Sequence, residues 1–321
     1  MSRLRPVAAL VERFTRDLAA LGVVEAPLAV AVSGGPDSLA LLLLAAAGPV
    51  PVLAATVDHG LRRESAGEAA FVAEACRELE VSHETLTVAV QRDGEGLQAA
   101  ARQARYTALT TWMDRHGASA LLTAHHADDQ AETLLMRLQR GSGVGGLAGV
   151  RARGGLPGSE GRLTVLRPLL GWRRAELAAI VAAAGLEAVN DPSNSDPDFD
   201  RVRMRAHLAG AEWLDVAALA RSAATLAEAE DALDATASRL FDERARRDDD
   251  LSLDPSDLPA ELQRRLVLRC LRAVVPHATP RGEQLTALLA ALAKGQVTTL
   301  AGVKCSGGDR WRFELAPPRG A

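Results

Sequence analysis

Leu28-Ala-Val-Ala-Val32 runs straight into Ser33-Gly34-Gly35-Pro36-Asp37-Ser38 and then into Leu39-Ala-Leu-Leu-Leu-Leu-Ala-Ala-Ala47. A short apolar run ending in two glycines reads as a buried strand breaking into a turn. The next stretch is apolar on nearly every side, which predicts a helix lying beneath other layers, from Ser38 to Ala47. Glycines at such a junction let the backbone approach an anion, and the following helix offers free N–H groups and a partial positive charge. Ser33 and Ser38 add hydroxyl donors. Asp37 would repel phosphate unless a cation intervened, so Mg²⁺ is implied with Asp37 as its ligand. A plain capped turn also favours Ser, Asp and Gly, but the six-residue string in this setting is assigned to phosphate binding. It is neither a Walker A loop, lacking Gly-Lys-Ser/Thr, nor a GxGxxG turn.

The same alternation continues outward. Val7–Leu21 has the spacing of an amphipathic helix. Val50–Val57, His83–Val90, Ala120–Thr123 and Leu163–Leu166 read as further strands. Ala66–Leu79, Gln98–His116 and Ala127–Gln139 are the helices among them. Strands alternating with helices predict right-handed βαβ units and a parallel sheet. Ligands of such sheets bind beyond the carboxyl ends of the strands, at the switch point. Ser33, Asp58 and the His125-His126 pair all fall at strand ends. The glycine- and arginine-rich stretch 141–161 reads as a loop, ordered or mobile, rather than packed structure. Asn190–Asp200 is a polar loop with two prolines. Beyond residue 210 the character turns helical: Trp213–Arg246, Leu258–Val275 and Arg281–Ala293. Gln296–Val303 and Arg310–Leu315 suggest one short hairpin across Ser306-Gly307-Gly308-Asp309.

Three more constellations carry chemistry. Thr123-Ala-His125-His126-Ala-Asp128-Asp129-Gln-Ala-Glu132-Thr133 starts at a strand end and enters a helix. Asp129 and Glu132 are three apart and share a face, where they suit a cationic amine or a metal. The imidazoles suit phosphate or proton movement. An acidic first turn is also what a helix dipole favours. Arg102 and Arg105 lie one turn apart, facing either a nucleotide or RNA, or forming a solvated basic face. Arg201, Arg203 and Arg205 cannot all share one helix face; a mixed role and a surface role are equally open.

Length and composition bound the rest. The chain has 321 residues, 48% hydrophobic and 24% charged, which suits two soluble domains and excludes a disordered chain or a disulfide scaffold. Three cysteines (Cys76, Cys270, Cys305) form no CxxC pair, which argues against a cysteine metal site and for a reducing, cytoplasmic setting. The N-terminus has no signal-peptide core, and the longest apolar run, Leu39–Gly48, is too short to span a bilayer. Net charge is −4, yet it is uneven. Residues 137–174 carry a net +7, residues 211–261 a net −9 and residues 262–321 a net +7. Two basic stretches flanking an acidic one suit a phosphate backbone held at two places. Lys294 and Lys304 are the only lysines, the remaining basic side chains being arginine, which suits bidentate phosphate contacts and equally a codon habit.

Taken in order, these motifs resemble the N-type ATP pyrophosphatases. Within that group they are most similar to the tRNA(Ile)-lysidine synthetase family. Besides the Ser33–Ser38 loop, the carrying residues are Val57-Asp-His-Gly-Leu-Arg62, Ala101-Arg102-x-x-Arg105-Tyr106, Thr123–Thr133, Arg140-Gly-Ser-Gly143 with Gly146-Leu147, and Asp191-Pro-Ser-Asn194. Thr299-Leu-Ala-Gly302 resembles part of the family's C-terminal domain. The match departs at Val202, where the family usually has asparagine. The resemblance implies a Rossmann-like parallel α/β sheet with a PP-loop, of the adenine nucleotide alpha hydrolase-like kind, over residues 1–210. A smaller, mainly helical tRNA-binding domain would follow over 211–321. It implies an ATP-dependent ligase that joins L-lysine to C2 of cytidine 34 in the CAU anticodon of tRNA(Ile), through an adenylated tRNA. By this resemblance Ser33, Gly34, Gly35, Pro36, Asp37, Ser38, Asp58 and His125 hold ATP with Mg²⁺. Asp129 and Glu132 hold lysine. Asp37, Arg105, Asp129 and Arg205 are catalytic, and Arg140, Arg151 and Arg153 meet tRNA. No membrane partner is expected, and a homodimer is left open. The rivals are a tRNA thiolase with the same loop and a non-catalytic ATP-binding module.

Overall fold

The computed structural model describes residues 4–22, 26–60, 65–89, 97–189 and 200–317. Leu61-Arg62 and the Asp191–Asn194 motif lie outside the described residues. The chain divides into two compact units, Met1–Ala227 and Glu228–Ala321. The division falls inside a single long helix, well past residue 210, where the composition changes.

The first unit runs α1 (Ala8–Ala19), β1 (Leu28–Ala31), α2 (Pro36–Ala47), β2 (Val52–Asp58), α3 (Ser65–Glu78), β3 (Ser82–Thr87), α4 (Leu97–His116), β4 (Ala120–Leu122), α5 (Ala127–Gln139), α6 (Val144–Leu147), β5 (Arg153–Gly155), β6 (Thr164–Leu166), α7 (Arg174–Ala183) and α8 (Asp200–Ala209). It ends in the first turns of α9 (Val216–Arg244). The six-stranded sheet has the order β3-β2-β1-β4-β6-β5, parallel throughout except for β5. The period-2 alternation of a strand splits the core in two. Leu28, Val30, Ala120 and Leu122 point into the layer of α1, α2 and α7, where Leu39 to Ala45 of α2 are all buried. Ala29, Leu121 and Val165 point to the other layer, against Leu109, Trp112 and Met113 of α4. A helix buried on every side is why α2 carries no polar stripe.

Chain order reverses between β1 and β4, so the switch point lies at their carboxyl ends. The Ser33–Ser38 loop leaves β1 there, and the His125-His126 stretch leaves β4.

The 141–161 stretch is packed structure rather than a free loop. It contains α6 and β5, and Ala148, Leu156 and Ser159 are buried. Gln130 clamps it through both amide atoms, accepting from Val150 N at 2.6 Å and donating to Val150 O at 2.9 Å. Arg137 donates to Gly146 O and Gly149 O. Gly149 has φ +65°, and a Cβ there would lie 2.5 Å from Gln130 Oε1, so the glycine is what admits the clamp. The clamp is long-range, and nothing in the local composition announces it.

The second unit holds the rest of α9, then β7 (Ala245–Arg247), β8 (Leu251–Leu253), α10 (Ala260–Val274), α11 (Gly282–Ala293), β9 (Val297–Leu300), β10 (Val303–Ser306) and β11 (Trp311–Leu315). These strands form a five-stranded sheet of order β7-β8-β11-β10-β9, where the sequence suggested one hairpin. The expected strand 296–303 is two strands turned at Ala301 (φ 50°) and Gly302 (φ 80°). Two successive positive φ values make a tight hairpin turn. Alanine hid it, since that position favours Asn, Asp or Gly. The expected helix to Arg246 stops at Arg244, and Ala245–Arg247 pairs with Leu251–Leu253. Leu253, Leu266, Cys270, Leu288, Val303 and Phe313 form this unit's own core.

The opposed charge blocks partly cancel here. Arg265 pairs with Glu230 at 2.6 Å and with Glu261 at 2.8 Å, and Arg269 pairs with Asp234 at 2.6 Å. Part of the basic excess of 262–321 is therefore bound to the preceding acidic helix and is not an open cationic surface.

Candidate active site

Gly34 has φ +82°, and a Cβ there would lie 3.0 Å from Val189 Cγ2. Glycine thus lets the chain turn at the end of β1. Its carbonyl accepts from Val189 N at 2.9 Å. Pro36 opens α2 at a position where its missing N–H is not needed. Ser38 Oγ accepts from Ser33 N at 3.1 Å, donates to Gly35 O at 3.0 Å and lies 3.2 Å from Ser33 Oγ. The loop therefore closes on its own serines around a helix N-terminus.

His126 caps α5 through a reciprocal pair of contacts. Its backbone N–H donates to Asp129 Oδ2 at 3.1 Å, and its Nδ1 accepts from Asp129 N at 3.4 Å. The ring is fully buried, and its Nε2 lies 3.4 Å from Asp37 Oδ2 and 3.5 Å from Asp129 Oδ2. One imidazole thus stands between the phosphate loop and the acidic turn, bringing Asp37 and Asp129 together. Asp37 Oδ1 is buried with no hydrogen-bond partner. A lone carboxylate oxygen beside a phosphate loop fits Mg²⁺, which usually takes one or two protein carboxylates and completes its shell with substrate phosphates and water.

The remaining candidates divide clearly. Asp128 is structural: burial works to raise its pKa, but hydrogen bonds from the Arg173 side chain and Arg174 N–H hold it below the usual carboxylate range. Glu132 is 1% exposed and meets three arginines. Arg174 Nη2 (3.1 Å) and Arg205 Nε (3.0 Å) donate to Oε1, and Arg201 Nε lies 3.5 Å from Oε2, which has no hydrogen bond. Arg201 and Arg205 share one face of α8, while Arg203 turns away to Asp200. Val202, beside them on α8, is half-buried. His125 donates to or accepts from Thr123 Oγ1 at 3.1 Å. Burial pushes its pKa down to about 4; Asp129 opposes the shift, and Arg167, Arg201 and Arg102 reinforce it. It is neutral at physiological pH.

Asp58 accepts from Gly60 N at 2.8 Å, which holds its carboxyl below the usual range. Arg105 Nη2 lies 3.4 Å from His59 Nε2, so it sits with the β2 end. Arg140 pairs with Asp200, Arg151 donates to Ala227 O, and Arg153 donates to Leu21 O. Two residues escaped the sequence argument. Arg174 starts α7, distant in sequence from Glu132. Arg167 directly follows the fifth predicted strand, so the carboxyl-end rule was the available signal.

The PP-loop domain family matches residues 8–212. A tRNA(Ile)-lysidine synthase of Zymomonas mobilis subsp. mobilis is 44% identical over 303 residues, covering 93% of this chain and 92% of that protein. Another, of Novosphingobium aromaticivorans, is 50% identical over 295 residues, covering 89% and 88%. The chain belongs to the tRNA(Ile)-lysidine synthase family. It is a ligase with an ATP-binding PP-loop domain. Among solved structures, the U34-tRNA thiolase NcsA from Methanococcus maripaludis, described with its 4Fe-4S cluster, superposes with a TM-score of 0.54 at 17% identity, covering 68% of this chain and 79% of that one. That likeness speaks to the fold. The three cysteines of the synthase-family chain are buried, and burial raises Cys76 and Cys305 to about 12 and Cys270 higher still. Thiols in that state are poor nucleophiles. Among the described residues no helix is long and apolar enough to cross a membrane.

Proposed function

We propose that this ligase joins L-lysine to C2 of cytidine 34 in the CAU anticodon of tRNA(Ile), in two steps at the β1–β4 switch point. The observation that supports the reading is His126 held between Asp37 of the glycine loop and Asp129 of the acidic turn. In the first step, O2 of the cytidine attacks the α-phosphate of ATP and pyrophosphate leaves. Ser33, Gly34, Gly35 and Ser38 cradle the phosphates through backbone N–H groups and hydroxyls, Pro36 sets the start of the helix whose N-terminus faces them, and Asp58 lies at the neighbouring strand end. Asp37 would hold Mg²⁺, which when bound would supply positive charge against that developing on the leaving pyrophosphate. His125, being neutral, donates or accepts a hydrogen bond beside the nucleotide without adding charge. Arg105 and Arg205 stabilise the adenylate.

In the second step the ε-amine of lysine attacks C2, and the C–O bond to AMP breaks. The amine must be uncharged at that moment. Asp129 and Glu132 draw the ammonium in. The arginines gathered on Glu132 oppose a further positive charge and so favour the neutral amine. Residues 1–210 supply this chemistry, while residues 211–321, with Arg140, Arg151 and Arg153 of the first part, hold the tRNA.

The test is pyrophosphate release with ATP, lysine and unmodified tRNA(Ile), read together with lysine incorporated into RNA. Release that ignores tRNA, or that proceeds with no lysine reaching the RNA, refutes the reading.

A further inference from the structure

Arg167 stands at the carboxyl end of β6, beside β4. Its backbone N–H donates to Ala152 O at 2.9 Å and its Nη1 to Arg151 O at 2.7 Å, so its stem is fixed. Among the described residues, its Nε is buried with no hydrogen-bond partner and its guanidinium pairs with no carboxylate. A buried guanidinium N–H left unpaired is costly, and five donors in a rigid fork are suited to phosphate oxygens. Arg102 stacks on the Tyr106 ring at 4.9 Å, while Arg201 is engaged by Glu132 and Thr133. Arg167 and Arg102 both act to lower the pKa of His125. Burial holds Arg167 below its ordinary value, with Tyr106 opposing the shift and Arg102 adding to it.

We propose that Arg167, aided by the charge of Arg102, forms an anion subsite at the carboxyl end of β6, one that takes an RNA phosphodiester flanking the nucleotide being modified. The ATP phosphates have their own cradle at the end of β1. With β4 lying between, the β6 end is about 10 Å from it at the usual strand spacing. A polynucleotide brings a phosphate on each side of the reacting nucleoside, so inserting the base at the switch point leaves an anion to be placed nearby. The neutral His125 lets the two cations act on that anion without a third charge beside them. This inference rests on the ligase acting on RNA, as set out above.

The test compares the wild type, Arg167→Met and Arg102→Gln for binding of an unmodified tRNA(Ile) transcript across a salt series, and for the KM of ATP in pyrophosphate release. Each variant should weaken RNA binding and flatten the slope of log affinity against log salt by about 0.7, the value for one contact to a single-stranded phosphate. The ATP KM should stay within about twofold, less than the shift of a lost tenfold contact. A folded Arg167→Met with unchanged RNA affinity and slope overturns the proposal. So does a rise in ATP KM with RNA binding intact, which would assign the subsite to the nucleotide. Arg102 lies on an exposed face, so if Arg167→Met does not fold, Arg102→Gln decides: a flattened slope supports the subsite and an unchanged one overturns it. Wild type without tRNA-dependent pyrophosphate release would instead fail the functional reading itself, whatever the variants do.

Discussion

Replacing Glu132 by Gln separates a carboxylate that organises arginines from one that only receives substrate. Its side chain is 1% exposed, while those of Arg174, Arg201 and Arg205 are 29%, 46% and 35% exposed. Gln keeps Oε1 as an acceptor for Arg174 and Arg205 and loses the charge. A hydrogen bond to a charged group contributes about 1.5–3 kcal/mol against about 1 for a neutral one, so each of the two bonds weakens by about 1 kcal/mol. The more distant Arg201 and the uncompensated repulsion among three partly solvated cations add about 1 kcal/mol after screening. The sum, about 3 kcal/mol, sits at the lower edge of the cost of breaking a buried pair. For a unit of 150–250 residues it lowers the melting temperature by about 6–12 °C. Calorimetry of the full chain with and without ATP reads this, and lysine KM reads the substrate side. Both should worsen in Glu132→Gln. An unchanged melting temperature with only lysine KM raised would refute the arginine-organising role.

Gly34→Ala forces a positive φ on alanine and presses its Cβ on Val189; the strain of about 1–2 kcal/mol should raise ATP KM by about tenfold, measured by pyrophosphate release. His125 is neutral down to about 4 in the fold but titrates near 6.5 when unfolded. The unfolded chain therefore binds more protons between those values, and stability falls as pH drops through that window, by up to about 3 kcal/mol. Urea midpoints from pH 7.5 to 4 should show a shallower fall for His125→Gln than for the wild type, and parallel curves would contradict this. Ala301→Asn places a residue tolerant of positive φ in the β9–β10 turn and should stabilise the chain by about 0.5–1 kcal/mol, read as a higher melting temperature.

What could be read from the residues alone follows from how local each determinant is. The β1–loop–α2 passage is legible because strand, glycine turn and all-round apolar helix lie within twenty residues and obey period and turn rules that need no partner. The acidic turn after β4 is legible for the same reason, and the parallel order then carries both to one edge. The arginine cluster on Glu132 is not local: α5, α7 and α8 contribute to it, and a carboxylate at i+3 from Asp129 looks the same whether it faces substrate or Arg174. The clamp of Gln130 on Val150 is equally invisible, so a glycine-rich stretch passes for a loop. Charge counting fails by the same route, since Arg265 and Arg269 belong to a basic block yet face Glu230 and Asp234 of an acidic one. A cation is informative about a ligand only after its protein partners are subtracted. That subtraction removes Arg265 and Arg269 from the surface available to phosphate and leaves Arg167, whose Nε has no hydrogen-bond partner among the described residues.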